Sequence, residues 1–322
     1  MQESHAVAAT FDDFEAFQVA MVGWDIDWRQ LDAGPLRATL FRLASGPATL
    51  THLTFDRSFL QRGNSPPGVT FGVPSSGPEF DWCGTPVHET HLIRFSPEAE
   101  YEAVSHQGFG AHALSYTEHY LNELAHTLGL AHVSQQLVGG LQAWRTDGRV
   151  LATVRSRLRS VCAEVEGRPQ ALGSQGLTDE LAFGIPAAIL EAVAAGTHTG
   201  VPSARRRTQG FRRAMAFIEP HVGDPLTVSQ VCRESGVSWR TLNYAFREKL
   251  ALTVERYLKV RRLHGLRREL RWSGAGATIS DIANRWGFWH MGKLAADYRA
   301  QFGELPSATR QRPSPAGSAA TV

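Results

Sequence analysis

The sequence predicts an α+β protein: a β-rich N-terminal half, barrel or sandwich with added helices, followed by an all-α C-terminal domain with two helix-turn-helix units. Three observations predict it. Short, nearly alternating apolar segments run from about Met21 to Phe109. The period turns helical after Ser115. Two helix–glycine–helix patterns then follow one another in the most basic stretch of the chain. Alternation marks half-buried strands and a 3.6-residue period marks helices, so the two halves belong to different architectures.

Charge divides the chain at the same place. Residues 203–322 carry 21 Lys and Arg against 9 Asp and Glu, a net of +12. Residues 1–202 carry 12 against 22, a net of −10, and together these give the chain's +2. One half is suited to meet a polyanion and the other is not.

Taken in order, Phe11, Phe14 and Phe17 predict a short packing helix within residues 1–20. Strands are predicted around 36–43 (LRATLFRL), 49–55 (TLTHLTF) and 90–95 (THLIRF), broken by 63–68 (GNSPPG) and 74–78 (PSSGP). Ser115 and Glu118 read as a capping box opening a helix whose apolar face is Tyr120, Leu121, Leu124 and Leu128. That face packs on its own barrel or pairs with a second copy. Further helices are expected at 142–163 and 178–195, with a linker at 196–203 (GTHTGVPS). Arg205, Arg206 and Arg207 open a helix after it, touching phosphate or merely solvated. The parts predicted are a barrel-like part over 1–115, a helical part over 116–202 that includes the linker, an all-α domain over 203–312 and a disordered tail over 313–322.

Several function classes find no support. Cys83, Cys162 and Cys232 show neither metal spacing nor a disulfide framework, which suits a reducing cytoplasm. No signal peptide and no run of about 18 apolar residues is seen, so neither export nor a membrane partner is expected. Thirteen histidines, including His88 and His91 as His-x-x-His, read as scattered surface or core residues, and no metal and no cofactor are expected. There is no nucleophile elbow, P-loop or dinucleotide fingerprint, so no catalytic residues are assigned and the chain is not expected to be an enzyme.

The helix-turn-helix patterns lie at 226–246 (LTVSQVCRESGVSWRTLNYAF) and 278–294 (TISDIANRWGFWHMGKL). Such a unit needs a small residue where the helices cross, a glycine for the turn and an apolar residue seating the second helix. These are Cys232, Gly236 and Leu242 in the first, and Ala283, Gly287 and Leu294 in the second. The glycine-to-apolar spacing is six and seven, so the second turn is expected to be one residue longer. Thr227 with Gln230, and Thr278 with Asp281, predict a capping box on each first helix.

Residues 207–312 resemble the DNA-binding domain of the AraC/XylS family of bacterial transcription regulators. The stretch 282–306 (IANRWGFWHMGKLAADYRAQFGELP) carries the resemblance, and its GFWHM and FGELPS pieces are similar to the branch that includes the ethanolamine-utilisation regulator. The resemblance implies a long helix at about 254–271 joining the two units. It departs at Ala251-Leu252-Thr253-Val254, where the family has Gly-x-x-Pro; Gly303 to Pro306 keep that pattern after the second unit. The resemblance also implies a cupin-like N-terminal barrel that binds a small-molecule effector and supports dimerisation.

Base-contacting residues follow from the helical period and from side-chain chemistry. With Leu242, Ala245 and Phe246 inward, Trp239, Arg240, Asn243 and Tyr244 face outward, and Arg240 and Asn243 suit guanine and adenine. In the second unit Trp289, His290, Met291 and Lys293 stand near the start of the second helix, with Trp289 either touching a thymine methyl or packing across the turn. Arg247, Lys249, Arg285 and Arg299 suit phosphate. An effector pocket would be lined by Trp24, Trp28, Phe41, His52, Phe71, Trp82 and His91, or these are plain core. The partners expected are double-stranded promoter DNA, RNA polymerase, an unknown small-molecule effector and a homodimer mate, all in the cytoplasm. Three alternatives stay open: a ligand-independent regulator, an enzyme fused to a DNA-binding module with Cys83 as its reactive thiol, and a nonspecific DNA-compacting protein.

Overall fold

A computed structural model describes residues 4–137, 139–199, 206–221, 223–224, 226–272 and 276–312, the side chains of 206–208 excepted. The expected tail at 313–322, Arg205 and the second half of the expected linker fall outside the described residues.

The chain opens with strand β1 (His5–Phe11), helix α1 (Phe14–Ala20) and strands β2 (Asp25–Gln30), β3 (Ala38–Ser45), β4 (Ala48–Phe55) and β5 (Phe59–Asn64). It continues through β6 (Val69–Ser76), β7 (Phe80–Trp82), β8 (Thr85–Val87), β9 (His91–Phe95), β10 (Tyr101–Ser105) and β11 (Phe109–Tyr116). Helices α2 (Glu118–Thr127) and α3 (Ala131–Leu137), strand β12 (Gln142–Arg145), helices α4 (Gly148–Gly167), α5 (Gln175–Asp179) and α6 (Ile185–Ala195), and strand β13 (Thr197–His198) complete the N-terminal part. Two antiparallel sheets result, one in the order β1-β3-β4-β11-β6-β9-β12-β13 and one in the order β2-β5-β10-β7-β8.

The large sheet is covered on both faces. Leu53 and Phe55 of β4 meet Trp28, Phe59, Phe80 and Trp82 in a core between the sheets. Leu50 of the same strand, with Leu43, Phe71 and Leu114 of its neighbours, meets Leu121, Leu158 and Ile189 of the helices on the other face. The apolar face of α2, where Leu121 and Leu124 are buried and Tyr120 and Leu128 partly so, is thus used within its own chain.

Four local expectations are corrected. Residues 1–20 begin as a strand, because His5 to Phe11 pair along β3, and only Phe14 onward is helical, capped by Asp13. The cap of α2 is Thr117, which accepts from Tyr120 N–H. Ser115 is held in the sheet with its Oγ 2.8 Å from Thr70 Oγ1. Residues 142–145 are a strand, paired with β9 and burying Trp144 completely, and Asp147 starts α4 only at Gly148. The helix expected over 178–195 is widened to π geometry at Glu180–Gly184, just before Pro186. Proline supplies no N–H and its ring crowds the carbonyl four residues back, which a wider turn relieves.

The C-terminal part is all-helical: α7 (Arg206–Ile218), α8 (Val228–Ser235), α9 (Trp239–Leu250), α10 (Val254–Trp272), α11 (Ile279–Arg285), α12 (Met291–Phe302) and α13 (Pro306–Gln311). Helix α10 lies between two small cores. Its first half closes one with Phe211, Leu242 and Phe246, to which Leu31, Leu60 and Val104 of the sheet domain also belong. Its second half closes the other with Ile282, Leu294 and Tyr298.

Buried ion pairs join the two halves along α10: carboxylates of the acidic half meet Arg267 and Arg271, whereas at Arg29 and Glu219 the polarity is reversed. Arg267 binds Glu15 through Nε at 3.0 Å and Glu304 through Nη1 at 2.6 Å, and Arg271 reaches Asp13 at 2.8 Å. Arg29 holds both oxygens of Glu219 at 2.7 Å, and the Tyr257 hydroxyl donates to Glu219 Oε1 at 3.0 Å. Burial pulls the Glu219 carboxyl upward, but the hydrogen bonds and charge of Arg29, with Arg261, hold it below the ordinary carboxylate range. A clasp of neutral groups adds to this, since Gln30 and Gln301 each donate a side-chain N–H to the other's backbone carbonyl at 3.1 Å.

Arg267→Ala leaves Glu15 buried without its partner and is expected to destabilise the chain by about 3–5 kcal/mol, read from the urea midpoint. A loss below about 1 kcal/mol would mean the network is effectively solvated. Because the Glu219 pKa is depressed, its stabilisation is complete above the ordinary carboxylate value and is lost as pH falls through the depressed one. The thermal midpoint should therefore drop on acidification below about pH 4, and Glu219→Gln should flatten that dependence.

Candidate nucleic-acid interface and effector cavity

Each helix-turn-helix is built by the same local chemistry. Thr227 and Gln230, and Thr278 and Asp281, form complete capping boxes on α8 and α11. Gly236 ends α8 at φ 67° and Gly287 follows α11 at φ 73°, a region that a side chain with a Cβ enters only at a cost. Gly236 stands two residues before the cap Ser238, and Gly287 stands three before the cap His290. The second turn is longer by the one residue that the spacing predicted. Gly265 lets the second unit close on α10: a Cβ there would come within 2.2 Å of the Trp286 ring.

The departure from Gly-x-x-Pro is absorbed locally. Ala251 ends α9 at φ 55°, the same left-handed closure that Gly303 makes at φ 78° after α12. Val254 begins α10 where Pro306 begins α13.

The second helices present a basic and aromatic outer face. Trp239, Arg240, Tyr244 and Arg247 of α9 are exposed, with the Arg240 guanidinium 5.8 Å from the centre of the Tyr244 ring. Trp239 donates its indole N–H to Glu255 at 2.8 Å. In the second unit His290, Lys293 and Arg299 are exposed and Met291 is partly packed on the core. Trp289 is 71% exposed, so the packing of this ring across the turn is corrected: Phe288 fills that place, with Arg262 over its ring at 5.3 Å. On α10, Arg268 and Trp272 are also exposed, and the sequence reading did not include them.

Three expected contacts are placed differently. Asn243 does not face outward: it is 7% exposed, and its Oδ1 accepts the Val254 N–H at 3.1 Å, satisfying a free donor at the start of α10. Lys249 is tied to Asp81 of the sheet domain at 2.6 Å. Arg285 is exposed but bonded to Glu269 through Nε at 2.9 Å, and Glu269 also accepts the Trp286 indole N–H at 2.6 Å.

The sheet domain holds an apolar cavity of about 50 Å³ between its two sheets, bordered by Trp24, Trp28, Trp82, Phe80, Tyr101 and Phe109, with Gln61 as a polar member. Four residues expected in its wall are elsewhere. Phe41 and Phe71 pack under the helices on the opposite face of the large sheet. His52 faces a separate cleft on that side. His91 sits at the start of β9, accepting the His88 amide N–H at 3.3 Å. Burial pushes the Cys83 thiol up to about 11, so it rests protonated and unreactive, against the requirement of a fused thiol enzyme.

Comparison with known proteins agrees with this geometry in the C-terminal part. Residues 231–312 match a family described as a helix-turn-helix domain. The chain is 42% identical over 97 residues to a probable thc operon regulatory protein of Rhodococcus erythropolis, spanning 30% of this chain and 29% of that one. It is 31% identical over 103 residues to XylDLEGF operon transcriptional activator 3 of Pseudomonas putida, 32% of this chain and 31% of that one. These matches cover under a third of each relative's length. The AraC-like transcriptional activator CuxR is 17% identical with a TM-score of 0.43, over 87% of this chain and 100% of that one. The C-terminal third is a helix-turn-helix DNA-binding domain. It is of the AraC/XylS type, and the narrower likeness to the ethanolamine-utilisation branch rests on the quoted sequence pieces. No helix among the described residues is long and apolar enough to cross a membrane.

Ala251→Gly is expected to stabilise the chain by about 1 kcal/mol, by removing the left-handed strain of a residue with a Cβ. A lowered thermal midpoint for that variant would show that the alanine methyl contributes packing that outweighs the strain.

Proposed function

We propose that this chain is a sequence-specific transcription regulator that places α9 and α12 in successive major-groove segments of promoter DNA. The observation carrying the proposal is the pair of exposed basic and aromatic faces, one on the second helix of each unit, in the half of the chain with net charge +12. Trp239, Arg240, Tyr244, Trp289, His290, Met291 and Lys293 are the base-contacting set, with Arg247, Arg285 and Arg299 toward phosphate. Asn243 is withdrawn from it, and Lys249 joins only if its pair with Asp81 opens. The joining helix has 19 residues, about 28 Å of length, against the roughly 34 Å between groove segments on one face of straight B-DNA. Simultaneous insertion therefore favours bent DNA. RNA polymerase as a partner, a homodimer, a bacterial cytoplasm and the division into sensing, helical and DNA-binding parts belong to the same proposal.

Sensing is assigned to the apolar cavity, whose wall suits a small apolar molecule with one polar group for Gln61. Its size supports a second reading. About 50 Å³ is a third of the roughly 150 Å³ that takes up benzene, so either the wall swells or the domain serves only to hold the DNA-binding part. A thermal-shift screen of the full chain against small apolar metabolites separates the two. A stabilising compound that also changes operator affinity supports sensing, and uniform silence favours a ligand-independent regulator.

Arg240→Ala should weaken specific binding by about 1–3 kcal/mol and relax base preference at one operator position, as read by selection from random duplexes. An unchanged sequence preference would remove α9 from the reading role. Equal affinity of the unaltered protein for all duplexes would replace regulation with nonspecific compaction.

A further inference from the structure

The ladder register places His52 of β4 directly opposite His112 of β11, and the two rings stack with centroids 4.2 Å apart. Both point to the helix-covered face of the large sheet, where Cys162 of α4 comes down on them. One ligand atom from each of the three residues lies within 4.8 Å of the others, the one such group among the described residues. His112 is fully buried, and neither of its ring nitrogens has a hydrogen-bond partner. A buried imidazole with both nitrogens unpaired forgoes bonds it would make in water, which is costly unless something occupies that position. The three residues line a cleft that opens between β1, β3 and α4, and Arg159 and Glu166 stand at its rim on the same helix.

We propose that His52, His112 and Cys162 bind one thiophilic transition-metal cation, of the zinc(II) or copper(I) class, at the seam between the large sheet and α4. Two imidazoles and a thiolate are a donor set that such ions prefer over the oxygen-seeking magnesium and calcium. Zinc bonds of about 2.0–2.3 Å set tetrahedral ligand atoms roughly 3.5 Å apart, so the group closes by about an ångström on binding. Three protein ligands leave a fourth zinc position toward the cleft, where Glu166 or a water completes it, and copper(I) needs none. On binding, the Cys162 thiol releases its proton to solvent as the metal–sulfur bond forms, and the two histidines bind as neutral rings. The bound ion would fix α4 on the sheet that also walls the apolar cavity. The site does not depend on the DNA-binding reading and is tested without DNA.

The test is titration of the purified, metal-stripped full chain with cobalt(II), followed by displacement with zinc(II), and separately with copper(I) under a competing chelator. The expected result is one equivalent bound, with a thiolate-to-cobalt charge-transfer band that survives Cys83→Ala and Cys232→Ala and disappears in Cys162→Ala. His112→Phe, which keeps the ring volume, should weaken binding at least tenfold. Its folding is checked by an unchanged circular-dichroism spectrum, and the Cys162 variant answers the question alone should it misfold. Uptake of copper(I) but not cobalt(II), lost in the same variants, assigns the site to copper. Absence of uptake of either ion, or a band that persists in Cys162→Ala, overturns the proposal.

Discussion

The arrangement of the whole chain depends on the buried ion pairs that α10 makes with the sheet domain. Arg267 is 3% exposed and stands 4.9 Å above the Phe302 ring, an environment in which an unpaired guanidinium would be very costly. It is tolerated because Glu15 of α1 and Glu304, between α12 and α13, approach it from two sides. One arginine thus closes the second helix-turn-helix and docks it on the other domain. At the other end of α10, Glu219 does the corresponding work for the first unit, accepting from Arg29, from Tyr257 and, through its backbone carbonyl, from Arg261. At Arg267 and Arg271 the acidic half supplies the carboxylates and the basic half the cations, and at Glu219 the roles are exchanged, so the contact is set by individual pairs and not by the net charge of each half.

What was legible in the sequence was what is decided locally. The capping boxes and the turn glycines each lie within a few residues, and the helix-turn-helix of both units followed from them, while the joining helix α10 came from the family resemblance. Asn243 was misplaced because its burial is set by a donor eleven residues away, the Val254 N–H at the start of another helix. Phe41 and Phe71 were misplaced because alternation says which residues share a face but not which face encloses the cavity, and this sheet is apolar on both. His52, His112 and Cys162 are 60 and 50 residues apart, so only the strand register and the descent of α4 bring them together. Composition showed the charge asymmetry of the halves but not that Arg267 and Arg271, one helical turn apart, turn inward to Asp13 and Glu15.

The proposed reading also has a mechanical route from cavity to reading heads. In β2, side chains alternate across the sheet, so Trp28 borders the cavity while its neighbour Arg29 points the other way, to Glu219 and Tyr257. The Trp28 ring packs against Phe17 of α1 at 5.4 Å, and α1 carries Glu15, the partner of Arg267. On the proposed reading, a molecule that displaced Trp28 would press toward both ion-pair nodes of α10, through one strand and one short helix. Spatial continuity of this kind is not itself coupling, which requires that the ligand bind the docked and undocked arrangements with different affinity. Both nodes are hydrogen-bonded as well as charged, and hydrogen bonds weaken steeply as their geometry slips, so a shift in β2 that misaligned them would weaken docking. Because both helix-turn-helix units are packed on the same α10, release would free them together, changing how the pair is presented to DNA while leaving each unit intact.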